Sequence, residues 1–256
     1  MILYRFWFAC AGLMLFFVWD RTVPSRRDLP LIFAAGLIGA PLQFLIQFEG
    51  LARTTVAHAA LMVGTAPMLL AIAGALLLSE RLDSGDWLAV WASTIGAALI
   101  IAGAPKAGFR SDSPSAFGDS LVLLSLVAAV AWVLLSKRLM RRYSALLATT
   151  HVFLAGTVGL TLWVWVRNGP PPLTLWPKTW FALAAQGLLA TTLSTTLWNW
   201  GLRSVPASKA GIFVNFGPLL GSILGILLYG DRLGMIGVAG GTLILSSAVF
   251  LTTRSD

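Results

Sequence analysis

The chain has 256 residues, of which 57% are hydrophobic and 11% are charged, whereas charged residues make up about a quarter of an ordinary soluble domain. Its 18 Lys and Arg and 10 Asp and Glu are too few to cover the outside of a soluble protein, so the composition excludes a soluble fold and indicates a membrane protein. The net charge of +8 comes from basic residues in short loops rather than from an aromatic-rich face, which argues against a nucleic-acid partner.

Nine stretches of the chain are apolar and long enough to cross a lipid bilayer, which takes roughly 20 residues of α-helix. Their apolar runs do not alternate with polar residues, so they predict an all-α, polytopic transmembrane helix bundle. The first stretch lacks the basic start and the small-residue cleavage site of a signal peptide, so we expect it to be retained. In chain order the predicted spans are residues 2–19, 30–50, 54–78, 87–104, 117–136, 145–166, 179–202, 206–229 and 234–252.

The Lys and Arg residues of the short loops predict the orientation of the spans, because cytoplasmic loops carry an excess of basic residues. Ten of them lie inside and six outside when the carboxyl terminus is placed in the cytoplasm. This distribution predicts a multi-pass protein of the inner (cytoplasmic) membrane. Nine spans then place Met1 outside. Because a chain without a signal peptide rarely begins there, we expect a further helix upstream.

An internal repeat relates the two halves of the chain. An offset of 151 residues aligns 51–82 with 202–233 without a gap and with 11 identities in 32 positions. The identities include Pro67 with Pro218, and both segments end in an acidic residue, Arg and Leu. This combination is hard to obtain by composition alone in helices that are rich in Leu, Ala and Gly.

The repeat predicts the domain organisation. Residues 1–105 form a first repeat with four helices present, 106–116 an outer linker, and 117–253 a second repeat with five helices. A complete repeat would have five helices, which is an odd number. The second repeat would therefore enter the membrane inverted relative to the first, as in many secondary transporters.

Six short motifs occur in an order and spacing typical of one known family. They are Tyr4-Arg5-Phe6-Trp7, Thr55-Val56-Ala57-His58-Ala59-Ala60, Ser79-Glu80-Arg81-Leu82, Gly118-Asp119 followed by Trp132, Ala207-Ser208-Lys209-Ala210 and Gly230-Asp231-Arg232-Leu233. Together with the two prolines, they resemble the EamA-type members of the drug/metabolite transporter superfamily. The resemblance implies a ten-helix fold whose first helix is absent here, a central cavity between the halves, export of amino acids or other small metabolites, and no cofactor. Asp231 departs from the family's usual Glu.

Pro67 and Pro218 lie near the middle of two repeat-related spans. A proline donates no amide hydrogen bond, so a helix can bend at this residue. The shared position favours a pair of hinges for alternating access. The other explanation is that proline is common in membrane helices generally.

Glycines in the second repeat predict close helix packing. Residues 217, 221 and 225 form a GxxxGxxxG face, which permits backbone contact between membrane helices. We predict packing rather than cargo contact for Gly217, Gly221 and Gly225. The expected partner is the repeat-related face that consists of Ala66, Leu70 and Gly74.

His58 and Lys209 occupy the same position in the two repeats, about one turn into their helices. An ionisable group within a membrane helix is costly and usually lies near a cavity or a pathway. Two interpretations stay open for Lys209: a gate or a group that binds a substrate carboxylate, and a side chain that snorkels to the cytoplasmic headgroups. For His58 an interface histidine is favoured over a cavity role. Three acidic residues near helix ends are expected to cap helices or to pair with a neighbouring arginine: Glu49, Glu80 and Asp231.

Uncharged polar side chains deeper in the spans are expected to point inward, because amides and hydroxyls in lipid need partners. They are Gln43, Gln47, Thr65, Gln186, Thr191, Thr195, Asn199 and Asn215, with Met62, Trp132, Trp198 and Phe213 as apolar walls. Hydrogen bonding between helices is the simpler explanation for most of them. As a set, with His58 and Lys209, they are the candidate lining of a substrate cavity.

The candidate function is a secondary transporter with a small-molecule substrate and the lipid bilayer as its partners. An enzyme is disfavoured, because His58 and His151 are far apart and the spans contain no pair of carboxylates. Cys10 is the only cysteine, which excludes an internal disulfide and a cysteine-cluster metal site. A structural or regulatory membrane subunit and a nucleotide-sugar-type exchanger stay open as alternatives. An exchanger of this kind would need several Lys or Arg residues within the spans to bind phosphate. Lys209 is the only one expected there, so a neutral or zwitterionic cargo is favoured.

Overall fold

The computed structural model describes residues 1–17, 23–54, 56–103, 116–229 and 234–253. Within its helices, the side chains of residues 16, 17, 56–58, 61, 101, 103, 221, 222, 225, 226, 228 and 229 are left out of this description. The described ranges are helical with short connections and overlap every predicted span, which confirms the all-α fold. The elements are α1 (Ile2–Phe17), α2 (Leu29–Leu37), the π-helix π1 (Ile38–Leu42), α3 (Gln43–Leu51), α4 (Val56–Gly64), α5 (Ala66–Leu77), α6 (Ser84–Gly103), α7 (Ala116–Met140), α8 (Ala145–Asn168), α9 (Pro177–Ala185), the π-helix π2 (Gln186–Leu193), α10 (Ser194–Ser204), α11 (Ala207–Ala210), a 3-10 turn (Gly211–Asn215), α12 (Phe216–Tyr229) and α13 (Met235–Thr253).

Four helices in the described ranges are long and apolar enough to cross a membrane unaided. They are Leu29–Leu51, Ala116–Met140, Ala145–Asn168 and Met235–Thr253. Ile2–Leu15 and Met62–Leu77 are shorter apolar helices. Two of the remaining predicted spans are divided by irregular turns, between α4 and α5 and between α11 and α12, so neither is one continuous long helix.

The helix boundaries repeat with the offset found in the sequence. The first residues of α4 and α11 are 151 residues apart, and so are those of α6 and α13. The π-helices follow the same rule, since π1 ends at Leu42 and π2 ends at Leu193. The repeat therefore includes the ends of the two π-helices as well as the starts of these α-helices.

Two compact units make up the chain, and each contains segments from both predicted repeats. Unit 1 comprises residues 1–45 and 131–204. In its core, the rings of Phe6 and Phe153 stack with centroids 5.6 Å apart, and Leu13 is fully buried beside them. Apolar side chains from α1 and α8 thus form the centre of this unit.

Two glycines in unit 1 allow close helix crossings. A Cβ atom at Gly36 would lie 2.7 Å from the backbone nitrogen of Gly156 in α8. A Cβ atom at Gly187 would lie 2.7 Å from the carbonyl oxygen of Arg5 in α1. The 151-residue offset relates Gly36 to Gly187 and Arg5 to Gly156, so the two crossings are counterparts. Each crossing joins a helix of one predicted repeat to a helix of the other.

Unit 2 comprises residues 46–130 and 205–256. Its repeat-related helices α6 and α13 pack against each other at Gly96 and Gly240. A Cβ atom at Gly96 would lie 2.7 Å from the carbonyl oxygen of Gly240, and one at Gly240 would lie 2.5 Å from the carbonyl oxygen of Gly96. The compact units therefore do not follow the bounds 1–105 and 117–253, which stay a prediction about the sequence repeat.

Candidate functional site

Lys209 in α11 forms an ion pair inside unit 2. Its Nζ atom lies 3.0 Å from Oδ1 of Asp86, and the two side chains are 20% and 8% exposed. Lys209 thus binds a carboxylate of the protein itself. Neither interpretation from the sequence, a substrate carboxylate or snorkelling to the headgroups, included this partner. The pair neutralises the charge within the unit.

Asp86 is itself fixed by the start of α6. Its backbone N–H donates to Oδ1 of Asp83 at 2.7 Å, and the N–H of Asp83 donates to Oδ2 of Asp86 at 3.2 Å. This reciprocal arrangement is a capping box, which satisfies N–H groups that the first helical turn leaves open. The sequence signal for this cap is the pair of acidic residues three positions apart, which lies just ahead of the predicted span 87–104.

Glu80 caps the amino terminus of α11. Its carboxylate accepts hydrogen bonds from the backbone N–H groups of Ala207 and Ser208 at 2.8 and 2.9 Å, and from the Ser208 hydroxyl at 2.7 Å. A carboxylate at this end of a helix also complements the helix dipole. The predicted capping role of Glu80 is confirmed, whereas Asp231 lies outside the described residues. A Cβ atom at Gly74 would lie 2.6 Å from Glu80 Oε2 and 3.2 Å from Ser208 Cβ, so this glycine makes room for the cap.

Both predicted hinge prolines follow an interruption of their helix. Thr65 separates α4 from α5, and its hydroxyl donates to the carbonyl of Met62 at 2.6 Å. Pro67 is then the second residue of α5. In the other repeat the 3-10 turn precedes α12, and Pro218 is the third residue of that helix. The irregular backbone thus lies just ahead of each proline, while the hinge motion itself stays a prediction.

Asn215 lies in the interior of unit 2, with 1% of its surface exposed. Its Nδ2 donates to the carbonyl and to the hydroxyl oxygen of Ser93, both at 3.0 Å, and to the carbonyl of Gly64 at 3.4 Å. Its Oδ1 has no hydrogen-bond partner among the described residues. The amide fastens the 3-10 turn to α6 and to the end of α4, which is the packing role that competes with a cavity role.

Asn199 has a comparable position in unit 1. It is 2% exposed, and its Nδ2 donates to Oγ1 of Thr149 in α8 at 2.8 Å. Thr149 in turn donates to the carbonyl of Ala145 at 2.7 Å. The Oδ1 atom of Asn199 has no hydrogen-bond partner in the described part of the chain.

The other predicted cavity residues are divided between the two units. Trp132 packs against the core of unit 1, where a Cβ atom at Gly39 would overlap its ring. Unit 1 also contains Gln43, Gln186, Thr191, Thr195 and Trp198. Unit 2 contains Gln47, His58, Met62, Thr65 and Phe213. Phe213 stacks on Phe216 with ring centroids 5.8 Å apart, and the side chain of His58 lies outside the described residues.

Arg5 is a second cation within the predicted spans, one turn into α1. Its Nε atom donates to Oγ1 of Thr191 in π2 at 2.7 Å. Its Cζ atom lies 5.2 Å from the ring centroid of Phe44 and 5.9 Å from that of Phe6. Counting Lys209 as the only cation in the spans was therefore wrong. The sequence signal for Arg5 is an arginine within the apolar run 2–19, independent of the family motif that contains it.

The prediction of close packing along the GxxxGxxxG face does not hold at Gly217. This residue is exposed, and a Cβ atom there would meet no atom of the described chain within 4 Å. Gly221 and Gly225 lie outside the residues whose surroundings are described. Close contact occurs instead at Gly211, where a Cβ atom would lie 3.1 Å from Pro67 Cα.

Glu49 forms the predicted ion pair with Arg53 one turn later in the chain. Nε of Arg53 donates to Oε1 of Glu49 at 2.9 Å, and the two side chains are 51% and 55% exposed. Solvent-exposed pairs of this kind contribute little to stability. The structural role predicted for Glu49 is thus confirmed.

The repeated helices and their interruptions are the features that bear on the class of protein. Within the described ranges, no three His, Cys, Asp or Glu side chains could hold a metal ion. Secondary transporters are commonly built from repeated helical bundles whose interrupted helices carry polar groups, and both features are present here. The chain belongs to the EamA-like transporter family, whose model matches residues 1–102 and 116–253.

Relatives with curated names support the transporter role. An uncharacterized transporter of Archaeoglobus fulgidus is 24% identical over 255 residues, which cover 99% of this chain and 86% of the relative. The uncharacterized transporter YyaM of Bacillus subtilis is 24% identical over 246 residues, which cover 94% and 80%. A probable biotin transporter of Pseudomonas aeruginosa is 29% identical over 179 residues, which cover 67% and 59%.

A solved crystal structure of a protein has the same fold. It aligns with 99% of this chain and 86% of its own, with a TM-score of 0.80 and 18% sequence identity. At this identity the similarity shows the fold alone. The family match and the named relatives, together with this fold, identify the chain as a multi-pass helical membrane transporter.

Proposed function

We propose that the protein is a secondary transporter that exports amino acids or similar small metabolites by alternating access. Its place is the cytoplasmic membrane, with the carboxyl terminus in the cytoplasm. The observation that carries this proposal is that a helix interruption lies just ahead of both Pro67 and Pro218, and these two prolines are aligned by the 151-residue offset. Interrupted helices near a binding site are a recurring feature of secondary transporters.

The interruptions supply the flexibility that alternating access requires. Thr65 and the 3-10 turn leave the regular α-helical hydrogen bonding, and the prolines behind them donate no amide hydrogen bond. A helix bends at such points because nothing restores the missing bond. A change of bend at both points opens and closes a pathway without unfolding either helix.

The charged groups around α11 act as a latch in this scheme. Lys209 binds Asp86 of α6, and Glu80 caps α11, so two contacts fix this short helix inside unit 2. Moving α11 away from α6 would leave a buried carboxylate and a largely buried lysine side chain unpaired. These contacts therefore stabilise one conformation. Binding of cargo or of a coupling ion would have to offset the free energy that is lost when the contacts break.

Cargo contacts are proposed for the polar and aromatic residues of unit 1: Gln43, Trp132, Gln186, Thr191, Thr195, Trp198 and Asn199. In unit 2 the proposed lining is Gln47, His58, Met62, Thr65 and Phe213. For Asn215 the bonds to Ser93 and Gly64 support packing more strongly than cargo binding. Trp132 and Trp198 provide apolar surface, and the amides and hydroxyls provide orientation.

Efflux from liposomes tests the proposal. The purified chain is reconstituted, the vesicles are loaded with a mixture of the amino acids, and each efflux rate is compared with that of protein-free vesicles. Replacing both Pro67 and Pro218 with alanine should lower the initial rate about tenfold, because restored helical bonds add about 1.4 kcal/mol to the barrier. Pro177→Ala at the exposed first turn of α9 is the matched control and should leave the rate unchanged.

The alternatives give different results in the same vesicles. A structural or regulatory subunit moves none of the amino acids above the protein-free rate. A nucleotide-sugar-type exchanger moves its cargo only when a nucleotide is present on the opposite side. Biotin is included in the panel because one relative is named a probable biotin transporter. Transport of biotin alone would replace amino acids as the proposed cargo.

A further inference from the structure

We propose that Arg5 and Thr191 form the point in unit 1 at which the carboxylate of the cargo binds. This inference rests on the proposed function and names its substrate class: small molecules with a carboxylate and an apolar or aromatic part. Carboxylate binding, which was one interpretation of Lys209 from the sequence, is thereby assigned to Arg5.

Arg5 has most of its hydrogen-bonding capacity free within the described residues. The guanidinium group carries several N–H donors in a planar fork, and Nε uses one of them on the Thr191 hydroxyl. Neither terminal nitrogen of the group has a hydrogen bond to any described residue. These are the nitrogens that bind a carboxylate through two parallel hydrogen bonds.

The positive charge of Arg5 also lacks a carboxylate among the described residues. No ion pair joins it to any of the six acidic side chains that the structure describes, and each of these has another partner. They are Asp28, Glu49, Glu80, Asp83, Asp86 and Asp119. An unpaired cation in a membrane helix is costly and marks a functional site unless a partner is present.

The surroundings of Arg5 hold its fork in one orientation. Thr191 fixes Nε from π2, and the close crossing at Gly187 fixes the backbone of α1 at the same residue. Phe6 and Phe44 lie near the guanidinium group, at distances typical of cation–π contacts. A π-helical turn such as π2 is often found at a functional site, because it displaces side chains from the regular helical pattern.

An aromatic side chain next to the cation indicates the rest of the cargo. Phe44 lies 5.2 Å from Arg5 Cζ, packs against the unit 1 core and remains partly exposed. An apolar or aromatic group attached to a carboxylate would find a surface there. A phosphate of a lipid headgroup could use the same guanidinium, so the experiment has to distinguish bound cargo from bound lipid.

The first measurement is thermal stabilisation of the purified protein in detergent, which needs no transport. A mixture of the amino acids should raise the melting temperature, whereas the matched mixture of their carboxamides should not. Arg5→Gln should abolish the shift, and Arg203→Gln at the exposed end of α10 should retain it. Equal shifts with both mixtures, or no shift with either, would overturn the proposal.

The second measurement is transport in the reconstituted vesicles. Arg5→Gln should raise the KM for carboxylate cargo about 10- to 100-fold, as expected for the loss of a charge-assisted hydrogen bond. The KM for the carboxamides should change less than about threefold. Arg5→Lys keeps the charge but loses the fork, so an intermediate KM is expected, and this variant serves if Arg5→Gln does not fold. An equal loss for both cargo types in folded protein would assign a structural role to Arg5 and overturn the proposal.

Two further outcomes are separated by design. Thermal stabilisation by carboxylates without transport would disprove the proposed function while supporting the binding site. Stabilisation of the wild type that depends on added phosphatidylglycerol and not on amino acids would show a lipid site at Arg5, and would overturn the cargo site. Thr191→Val should weaken the carboxylate shift, and Thr191→Ser should preserve it, because only the hydroxyl holds Nε.

Discussion

Each compact unit has a cation inside a helix, and the two cations have different surroundings. Lys209 in unit 2 binds a buried carboxylate, and Glu80 caps the same short helix. Arg5 in unit 1 donates to a neutral hydroxyl and contacts two aromatic rings, with no acidic partner in the described ranges. A cation in an ion pair stabilises the fold, whereas a cation without a counterion can bind an anionic ligand reversibly.

Removing the counterion in unit 2 should have the largest effect on stability. Asp86→Asn leaves the Lys209 side chain, which is 20% exposed, without its charge partner. Breaking a fully buried pair costs about 3–5 kcal/mol, so this variant should lose up to about 3 kcal/mol. The melting temperature in detergent, followed by tryptophan fluorescence, should fall markedly. The double variant Asp86→Leu with Lys209→Met should recover most of the loss. A wild-type melting temperature for Asp86→Asn would show that the pair is not formed.

A change at the glycine crossing of α6 and α13 in unit 2 should have the second-largest effect on stability. Gly96→Ala places a methyl group 2.7 Å from the carbonyl oxygen of Gly240, and backbone cannot move aside as a flexible side chain can. Overpacking of this kind costs about 1–3 kcal/mol. Gly217→Ala is the matched control, because its methyl group meets no described atom within 4 Å. Equal melting temperatures for the two variants would contradict the crossing.

The two buried asparagines allow a smaller and more direct comparison of the units. Thr149→Val in unit 1 removes the hydrogen-bond acceptor of Asn199 Nδ2 and leaves a buried donor unsatisfied, at about 1–3 kcal/mol. Ser93→Ala in unit 2 removes the hydroxyl that accepts from Asn215 Nδ2 and donates to the Ile212 carbonyl at 3.4 Å. Because Nδ2 keeps its bond to the backbone carbonyl of residue 93, a loss of at most about 1 kcal/mol is expected. Urea titration of both variants measures the difference. A larger loss for Ser93→Ala would reverse the comparison.

The exposed ion pair should have the smallest effect. Glu49→Gln removes the partner of Arg53 on a surface where both side chains are about half exposed, so the loss should be below about 1 kcal/mol. Thermal melting at low and high salt checks it, since any effect should vanish at high salt. A loss of stability as large as that of Asp86→Asn would mean that solvent exposure does not explain the difference between the two ion pairs.

The features that depend on local pattern could be predicted from the sequence. Apolar runs located the helices, and the 151-residue offset located the repeat, because both are properties of neighbouring residues along the chain. The partner of Lys209 could not be found in this way, since Asp86 lies in another helix far along the chain. The orientation of Gly217 depends on which face of α12 is packed, and a single sequence does not show that. Arg5, by contrast, is recognisable from the sequence, because an arginine within an apolar run is a local feature.

The π-helices at Ile38–Leu42 and Gln186–Leu193 set the rotation of the helices that follow them. A π turn contains about one residue more than the α turn that it replaces, so removing one residue would rotate all later side chains by about 100°. In unit 1 such a deletion within 186–193 would turn α10 about its own axis. Asn199 would then face away from Thr149, its present hydrogen-bond partner.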